Sequence, residues 1–365
     1  MKGKKICLVI PSLVGGGMER IMSEFANYLA QNDADVYLIL MFKDEIFYHL
    51  DSKIRIIQPL RKKRFNFTYA FFLFPFLRKK LKEIGPHTIL SFGERYNSYL
   101  LFASLGLKIP IYISDRSSPH KYLNRFNFWI SKILYKRASG IIAQTSKAAE
   151  LMHERLNGLN PNIRVIPNPL RDIKERESKK RNQIIALGRL VKEKRYDRLL
   201  EIMLRLNNKS WKLIIVGDGY LRQQIEQLIS TYDLKDRVIL TGQQKDVDLF
   251  LSESKIYALT SDIEGYPNAL CEAMSHGLAC ISFDCVAGPS DIIENGVNGI
   301  LVEDGNIELY ARELDSLINN EKKRELMSEE AKKIKHRLNR NEIFKQYVSF
   351  ILPDIKDNYN KKVTV

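Results

Sequence analysis

Long apolar runs are missing from this sequence. No stretch of about 18 or more apolar residues occurs, so no membrane-spanning helix is expected. Hydrophobic residues make up 45% and charged residues 28% of the 365 residues, which excludes the disordered, collagen-like and disulfide-scaffold classes. A chain of this length favours two domains and can bury a large core without disulfides or metals.

Cysteine is scarce as well. Cys7, Cys271, Cys280 and Cys285 form no CxxC pair and have no histidine nearby at metal-ligand spacing. We therefore expect buried free thiols in a reducing cytoplasm.

A secretory leader is also not expected. The N-terminal sequence superficially resembles a signal peptide, but Pro11 and Ser12 interrupt its apolar run and no small-residue cleavage site follows. A buried first strand explains this segment better.

Positive charge is plentiful and unevenly placed. The net charge is +15; residues 1–170 hold 26 Lys and Arg against 12 Asp and Glu, whereas residues 171–365 hold 32 against 31. Residues 61–82 contain eight basic residues and no acid, and seven of the thirteen residues 65–77 are aromatic. Such a segment suits the headgroup region of an anionic membrane, and equally a core helix with solvated basic ends. No RNP, KH or zinc-finger pattern supports a nucleic-acid partner.

Strand-like apolar runs alternate with longer amphipathic segments along the whole chain. Twelve runs are rich in Ile, Val and Leu and tend to end in Gly, Ser or Asp, which is typical of strands buried on both faces of parallel sheets. Between them, Ile21, Phe25 and Leu29 recur on one helical face. The pattern predicts an α/β protein with two Rossmann-like, doubly wound domains. We predict an N-terminal domain over 1–168, a linker over 169–182, a C-terminal domain over 183–340, and a C-terminal helix and tail over 341–365 that return toward the N-terminal domain.

Several loops after predicted strands carry glycine and charge. Gly16 and Gly17 follow the first strand, where backbone N–H groups can approach a phosphate, although a tight turn explains them equally well. Arg189 and Lys194 follow a later strand, and two cations at a strand end can clamp a diphosphate, although a solvated charged loop is common. Gly217 ends the next strand, where a turn and a ligand role are about equally plausible. Two Asp-x-Asp strings, 33–35 and 246–248, lie at element junctions, where caps and turns explain them without a metal.

The segment 262–274 is the most informative. Glu264 and Glu272 lie eight residues apart, the first before a Gly-Tyr-Pro-Asn loop and the second in the helix that follows. Ionised carboxylates can accept hydrogen bonds from vicinal sugar hydroxyls, each worth about 1.5–3 kcal/mol when desolvated. A surface acid favoured by the helix dipole is the simpler alternative for Glu272.

These motifs, taken in order, resemble the retaining glycosyltransferases of family 4, which have the GT-B fold of two Rossmann-like domains facing each other across a cleft. The resemblance covers almost the whole chain and includes GGGMER, IPNP, GRLVKEK, VGDG, LTGQ, EGYPNALCEAM and GPSDIIENGVNGILV.

The resemblance implies roles for individual residues. Arg189 and Lys194 match the basic pair that binds the donor diphosphate, Glu272 the acid on the ribose hydroxyls, and Glu264 the acid beside the donor sugar. The remaining donor-site positions that it implies are Gly16, Gly17, Gly217, Gly242, Gly265, Tyr266, Pro267 and Asn268.

One position departs from the family pattern. Many relatives have a histidine that contacts the donor sugar where this chain has Arg116, and His120 follows four residues later. Either Arg116 makes that contact, or the donor sugar differs; His120 as the substitute is a further alternative. We count Arg116 with Glu264, Arg189 and Lys194 as the candidate catalytic residues.

The resemblance also implies the reaction. A hexose or N-acetylhexosamine would move, with retention of anomeric configuration and without a metal or other cofactor, from a nucleotide diphospho-sugar to an acceptor. UDP is the expected carrier, and a lipid-linked or growing bacterial surface glycan is the expected acceptor, as in capsule biosynthesis. The enzyme would be cytoplasmic and peripheral on the inner face of the cell membrane, bound through residues 61–82.

Two other functions remain as alternatives. A nucleotide-sugar epimerase of related fold would need histidines in its cleft, and none of the six histidines lies in a matching motif. A binding protein for nucleic acid or anionic membrane would show steep salt dependence and no effect of UDP.

Overall fold

Two parallel sheets organise the chain in the computed structural model, which describes residues 1–60, 67–116, 125–159, 162–174, 176 and 178–353. For 67–68 and 125–127 only the backbone is described. Predictions that concern Arg61–Arg64, His120 and the tail after residue 353 therefore lie outside the described residues.

The strands of the described residues are β1 Lys5–Ile10, β2 Asp35–Leu40, β3 Arg55–Ile57, β4 Thr88–Phe92, β5 Ile111–Ser114, β6 Gly140–Ala143, β7 Ile163–Val165, β8 Gln183–Leu187, β9 Lys212–Val216, β10 Val238–Gly242, β11 Ile256–Leu259, β12 Ala279–Asp284 and β13 Ile300–Glu303. The helices are α1 Gly17–Gln31, α2 Phe67–Ile84, α3 Glu94–Ala103, α4 Arg125–Leu134, α5 Ser146–Leu156, α6 Tyr196–Arg205, α7 Arg222–Thr231, α8 Val247–Glu253, α9 Asn268–Ser275, α10 Pro289–Ile292, α11 Ile307–Asn319, α12 Glu321–Lys332, α13 Ile334–Arg337 and α14 Arg340–Ile351. Short 3-10 turns cover Tyr135–Arg137 and Lys192–Lys194.

The chain divides into two units, which we call unit 1 (Met1–Pro169 with Arg340–Val365) and unit 2 (Leu170–Asn339). Unit 1 holds the sheet β3-β2-β1-β4-β5-β6-β7, and unit 2 holds β10-β9-β8-β11-β12-β13. Neighbouring strands pair in parallel throughout both sheets. The predicted parallel α/β architecture is confirmed, and all twelve predicted strand runs form strands.

One strand was missed. β3 has three residues, two of them exposed, and it pairs with β2 at the edge of its sheet. A strand this short and this exposed leaves no apolar run in the sequence.

The apolar faces that the sequence predicted are buried. Ile21, Phe25 and Leu29 of α1 are buried, as are the four cysteines, which are free thiols. Burial raises the pKa of Cys7 and of the other three thiols, so all four stay protonated at neutral pH.

The linker was predicted over 169–182, but unit 2 already begins at Leu170, and residues of this stretch hydrogen-bond to unit 2. The backbone N–H of Lys174 donates to Asp248 at 3.1 Å, Lys180 Nζ donates to the carbonyl of Gly277 at 2.7 Å, and the N–H of Arg181 donates to the carbonyl of Glu253 at 2.8 Å. The described residues of this stretch therefore bind to unit 2 despite their polar composition.

Helix α2 covers most of the basic and aromatic segment 61–82. Leu73, Leu77 and Leu81 are buried in the core of unit 1, while Phe71 is exposed. Arg78 donates to the carbonyls of Ala103 and Leu105 at the end of α3. The described part of the segment is therefore a core helix on one face, which agrees with the second of the two interpretations; membrane contact stays a prediction. No helix in the described ranges is both long and apolar enough to cross a bilayer.

Candidate functional site

The sheet of unit 2 changes its direction of winding between β8 and β11. These two strands are neighbours, and the chain moves outward from them in opposite directions, to β9 and β10 on one side and to β12 and β13 on the other. In open α/β sheets, ligands bind at the carboxyl ends of the strands at such a point. Gly188 and Arg189 directly follow β8, and the loop with Glu264 follows β11.

Lys194 and Glu264 meet at this point. Lys194 Nζ lies 2.6 Å from Glu264 Oε1, and the carboxylate is buried while the lysine is half-buried. The two loops are joined by their backbones as well, since the N–H of Asp262 donates to the carbonyl of Glu193 at 3.0 Å. The structure therefore brings together a cation and a carboxylate that lie 70 residues apart in the chain.

Arg189 follows β8, five residues before Lys194, and has no counter-charge among the described residues. Its side chain is exposed and makes no hydrogen bond or ion pair with any residue that the structure describes. An arginine at a strand end that is not neutralised by the protein can give its full donor fork to an anion.

Gly217 is required by a close approach of two loops. Its φ is 144°, and a Cβ atom on it would lie 2.0 Å from the carbonyl oxygen of Gly188. Its N–H donates to the carbonyl of Gly242 at 2.9 Å. The three glycines thus let the loops after β8, β9 and β10 meet at the carboxyl edge of the sheet.

The Gly265–Asn268 loop leads from Glu264 into α9, with Pro267 at the N-cap and Asn268 as the first helical residue. The Tyr266 side chain is buried rather than open to a ligand, and burial raises the pKa of its phenol. Gly288 approaches from the loop after β12, and a Cβ atom there would lie 2.5 Å from Pro267 Cδ. Packing from the GPSDIIENGVNG motif therefore shapes this loop.

Glu272 lies in α9 and is bound by an arginine that sequence reasoning missed. Arg171 Nε lies 3.0 Å from Glu272 Oε2, and the same guanidinium binds Asp248 with its two terminal nitrogens. No motif marks Arg171, and Asp248 was interpreted as a cap or turn residue. Asp246 takes the N-cap position of α8, whereas Asp248 lies in the first turn of that helix.

Gly16 and Gly17 belong to unit 1, at the corresponding reversal between β1 and β4. Gly17 is the first residue of α1 and Gly16 its N-cap. Gly16 is bound on both sides by Tyr48: its N–H donates to the phenol oxygen at 2.9 Å, and the hydroxyl donates to its carbonyl at 2.7 Å. Any role toward a phosphate stays a prediction.

Arg116 follows β5 in unit 1 and is half-buried among groups of that unit. Its NH1 donates to Asn168 Oδ1 and its NH2 to the Tyr347 hydroxyl, both at 2.5 Å, and its guanidinium stacks 3.8 Å from the centre of the Phe92 ring. Burial lowers the pKa of Arg116. The structure thus gives Arg116 partners on α14 and beside β7; its contact with a donor sugar stays a prediction.

Comparison with known proteins identifies the class. The profile described as "Glycosyl transferases group 1" matches residues 170–334, and the profile "Glycosyltransferase Family 4" matches residues 15–172. The amylovoran biosynthesis glycosyltransferase AmsD of Erwinia amylovora is 28% identical over 87% of this chain and 90% of its own. A Campylobacter jejuni protein named as an alpha-1,4-N-acetyl-D-galactosaminyltransferase acting on a diNAcBac-PP-undecaprenol-linked glycan is 27% identical over 90% of this chain and 92% of its own.

Solved structures agree on the fold. The crystal structure of Anabaena HepE in complex with UDP superimposes with a TM-score of 0.79 at 18% identity, covering 94% of this chain and 98% of the other. The protein is therefore a glycosyltransferase with the GT-B fold. It belongs to the group 1/family 4 glycosyltransferases.

Proposed function

We propose that this chain is a retaining glycosyltransferase that moves a hexose or N-acetylhexosamine from a nucleotide diphospho-sugar to a lipid-linked or growing glycan of the bacterial surface. UDP is the proposed carrier, and no metal or other cofactor takes part. The observation that carries the proposal is the Lys194–Glu264 pair at the reversal point of the unit 2 sheet, where Arg189 also follows β8 and has no partner in the described part of the chain.

The charges of this site suit departure of a diphosphate. When the sugar–phosphate bond breaks through an oxocarbenium-like transition state, negative charge moves onto the leaving diphosphate. Arg189 and Lys194 are placed before the reaction, so they stabilise that charge more than the charge of the ground state. Glu264 partly neutralises Lys194 and supplies acceptors for hydroxyls of the donor sugar.

The acceptor proposal draws on relatives. The Campylobacter protein carries PP-undecaprenol in the name of its acceptor, AmsD is named for amylovoran biosynthesis, and HepE was solved with UDP. An undecaprenyl diphosphate acceptor is anionic and lies in the membrane, which agrees with the basic excess in residues 1–170.

Contact with the inner face of the cell membrane is part of the proposal. Besides residues 61–82, helix α4 and the 3-10 turn Tyr135–Arg137 that follows it support it, because their outer face combines exposed apolar side chains with lysine and arginine. Residues 116–149 contain no acid. An amphipathic helix of this kind binds the headgroup region of anionic lipid. The side chains concerned are Phe128, Trp129, Lys132, Ile133, Lys136 and Arg137.

A transfer assay tests the donor site. Purified protein is incubated with radiolabelled UDP- and GDP-sugars, with and without extracted bacterial lipid, and label in the lipid phase is counted. Lys194→Ala and Glu264→Ala should each lower transfer by about 100-fold or more, because each removes a group that faces the departing charge or the sugar. Lys192→Ala is the matched control, since that lysine lies in the same turn but is exposed and has no side-chain partner among the described residues.

Three outcomes contradict parts of the proposal. Wild-type transfer in the Lys194 and Glu264 variants would remove the donor-site assignment. No turnover of any donor, together with no binding of UDP or GDP in calorimetry, would reject the function itself. A product of inverted anomeric configuration in NMR spectra would reject retention.

A further inference from the structure

Arg171 lies between two carboxylates at the start of unit 2. Its NH1 and NH2 donate to Asp248 Oδ2 and Oδ1 at 2.9 and 2.6 Å, and its Nε lies 3.0 Å from Glu272 Oε2. The guanidinium therefore uses all three of its nitrogens, two for one acid on α8 and one for the other on α9.

Asp248 holds Arg171 in place. Asp248 is buried and accepts a further hydrogen bond from the N–H of Lys174 at 3.1 Å. The preceding residue is anchored too, since the N–H of Leu170 donates to the carbonyl of Leu338 at 3.0 Å. A bidentate arginine with an anchored backbone loses little further freedom when it binds a second acid.

The electrostatics keep Arg171 and Asp248 ionised. Burial alone would lower the pKa of Arg171, but its bonds with Asp248 and Glu272 outweigh burial and raise it. For Asp248, burial favours the neutral acid, and Arg171 and the Lys174 N–H outweigh it, so the pKa of Asp248 is lowered. Arg171 is therefore a permanent positive charge beside Glu272.

The two oxygens of Glu272 differ in their surroundings. Oε2 is bound by Arg171, whereas Oε1 makes no hydrogen bond with any described residue. The side chain is 16% exposed, so solvent or a ligand can reach it. A carboxylate with one oxygen held and the other open can accept a ligand hydroxyl without first reorganising.

We infer that Arg171 is a positioning residue for the nucleotide: it binds Glu272 Oε2 and so orients the carboxylate to accept the ribose hydroxyls of the donor through Oε1. Asp248 in turn orients Arg171. The inference rests on the proposed function, because it takes Glu272 to be the acid that binds the ribose. It extends that function to residues for which no motif gave a role.

Calorimetry with two ligands distinguishes a role of Arg171 in positioning Glu272 from a merely structural role in the folded protein. UDP and 2′,3′-dideoxyuridine diphosphate differ only in the ribose hydroxyls, so the ratio of their affinities measures the Glu272 contact. The ratio is measured for wild type, Glu272→Ala, Arg171→Gln and the double variant. Arg176→Gln is the matched control, because Arg176 lies in the same segment and pairs with Asp246 at 2.6 Å. If wild type binds GDP instead, the guanosine pair is used.

We expect wild type and Arg176→Gln to prefer UDP by about tenfold or more. Arg171→Gln should lose most of that preference while binding the dideoxy ligand as wild type does. The double variant should have the same affinity ratio as Glu272→Ala, since both changes remove the same contact between Glu272 and the ribose hydroxyls. In transfer assays, Arg171→Gln should raise the donor KM about tenfold and leave kcat within about twofold, because a ribose contact is kept from ground state to transition state.

Different results would contradict the positioning role of Arg171 and the proposed donor site. If Glu272→Ala abolishes the preference and Arg171→Gln keeps it, the inference is wrong and the donor site stands. If Arg171→Gln weakens both ligands equally, its role is structural and the inference is again wrong. If wild type binds neither nucleotide, or Glu272→Ala keeps the wild-type ratio, the proposed donor site itself is wrong.

Discussion

Separate ion pairs hold the charged candidate side chains Lys194, Glu264 and Glu272 of unit 2. Lys194 binds Glu264, Arg171 binds Glu272, and Arg189 alone of these cations has no partner among the described residues. An ion pair at the carboxyl edge of the sheet keeps its members in one geometry, while an unpaired arginine leaves net positive charge for an anion. The site is thus preorganised for a ligand with both phosphate and hydroxyl groups.

His276 adds a pH dependence at the same scale. Its Nε2 lies 3.3 Å from Asp248 Oδ1 and its Nδ1 lies 2.9 Å from the carbonyl of Glu272, with Arg171 nearby. Burial lowers the pKa of His276 below its ordinary value of 6.5, and the contacts with Glu272 and Asp248 only partly oppose this. The folded protein therefore prefers the neutral ring.

We expect unit 2 to lose stability as the pH falls below about 6.5, because the unfolded chain then binds a proton that the folded chain resists. His276→Asn should show a smaller loss between about pH 7.5 and about pH 5.5. Urea unfolding followed by the emission of the buried Trp211, in a Trp129→Phe background, measures this. The exposed His153, changed to Gln, controls for loss of an imidazole as such. An equal loss in His276→Asn and wild type would refute the assignment.

Helix α14 shows how one element at the end of the chain completes unit 1. The Phe344 ring centre lies 5.2 Å from that of Phe25 on α1, and the Tyr347 hydroxyl accepts a hydrogen bond from Arg116 after β5. Phe350 lies 5.1 Å from the ring of Tyr112 and so close to Gly140 that a Cβ atom there would be 2.5 Å from its Cζ. The helix therefore fills a place in the core of unit 1 that no other described element occupies.

Removing one aromatic side chain of α14 tests how much this helix contributes to the stability of unit 1. Phe344→Ala should lower the free energy of unfolding of unit 1 by about 3–5 kcal/mol, because the ring is fully buried and leaves a cavity. Lys345→Ala, one residue further along and exposed, should change it by less than about 0.5 kcal/mol. Urea unfolding followed by far-UV circular dichroism measures both variants, with Trp211 emission as the probe of unit 2. Equal stability of the two variants would mean that α14 does not belong to the cooperative core.

At the scale of the whole molecule, the charge distribution separates the two halves of the chain. Residues 1–170 carry nearly all of the excess of +15, and two of their segments, 61–82 and 116–149, lack acids and are also rich in aromatic residues. Surface charge of one sign with exposed rings favours adsorption to anionic lipid, and salt weakens that adsorption.

The two tryptophans allow a direct test of membrane contact. Trp129 on α4 is 61% exposed and Trp211 is 2% exposed, so Trp211→Phe leaves a single surface probe. We expect the emission of Trp129 in this variant to shift to the blue when vesicles that contain phosphatidylglycerol are added, and not with vesicles of phosphatidylcholine alone. Lys132→Glu, Lys136→Glu and Arg137→Glu together should weaken this binding about tenfold or more, at roughly 1 kcal/mol per charge.

The control for that variant reverses three exposed lysines of unit 2, Lys209, Lys235 and Lys322, and so carries the same net charge. Reversing Arg61–Arg64 in the same assay tests the other basic segment. Vesicle binding that falls equally in the control and α4 variants would show a general charge effect and would remove α4 from the membrane proposal. Calorimetry with UDP should give wild-type affinity for all three charge-reversed variants.

The sequence alone determined the layers of the fold and the positions of the ligand loops. Short uninterrupted apolar runs that alternate with amphipathic segments are typical of strands in parallel sheets covered on both faces, so β1, β8 and β11 were predictable from local pattern. The same local reasoning placed Arg189, Lys194 and Glu264 after strands, because loops after parallel strands share one edge of the sheet.

Only the tertiary structure decided which side chains are partners. Arg171 and Asp248 are 77 residues apart, and Arg116 and Tyr347 are 231 apart, so no periodicity or spacing connects them. Sequence pattern records whether a residue is buried and on which face of its element, whereas a polar pair forms only where the packed sheets and helices bring two distant side chains within hydrogen-bond distance. For that reason the sequence indicated Glu272 as a binding acid, and only the fold showed that an arginine already holds one of its two oxygens.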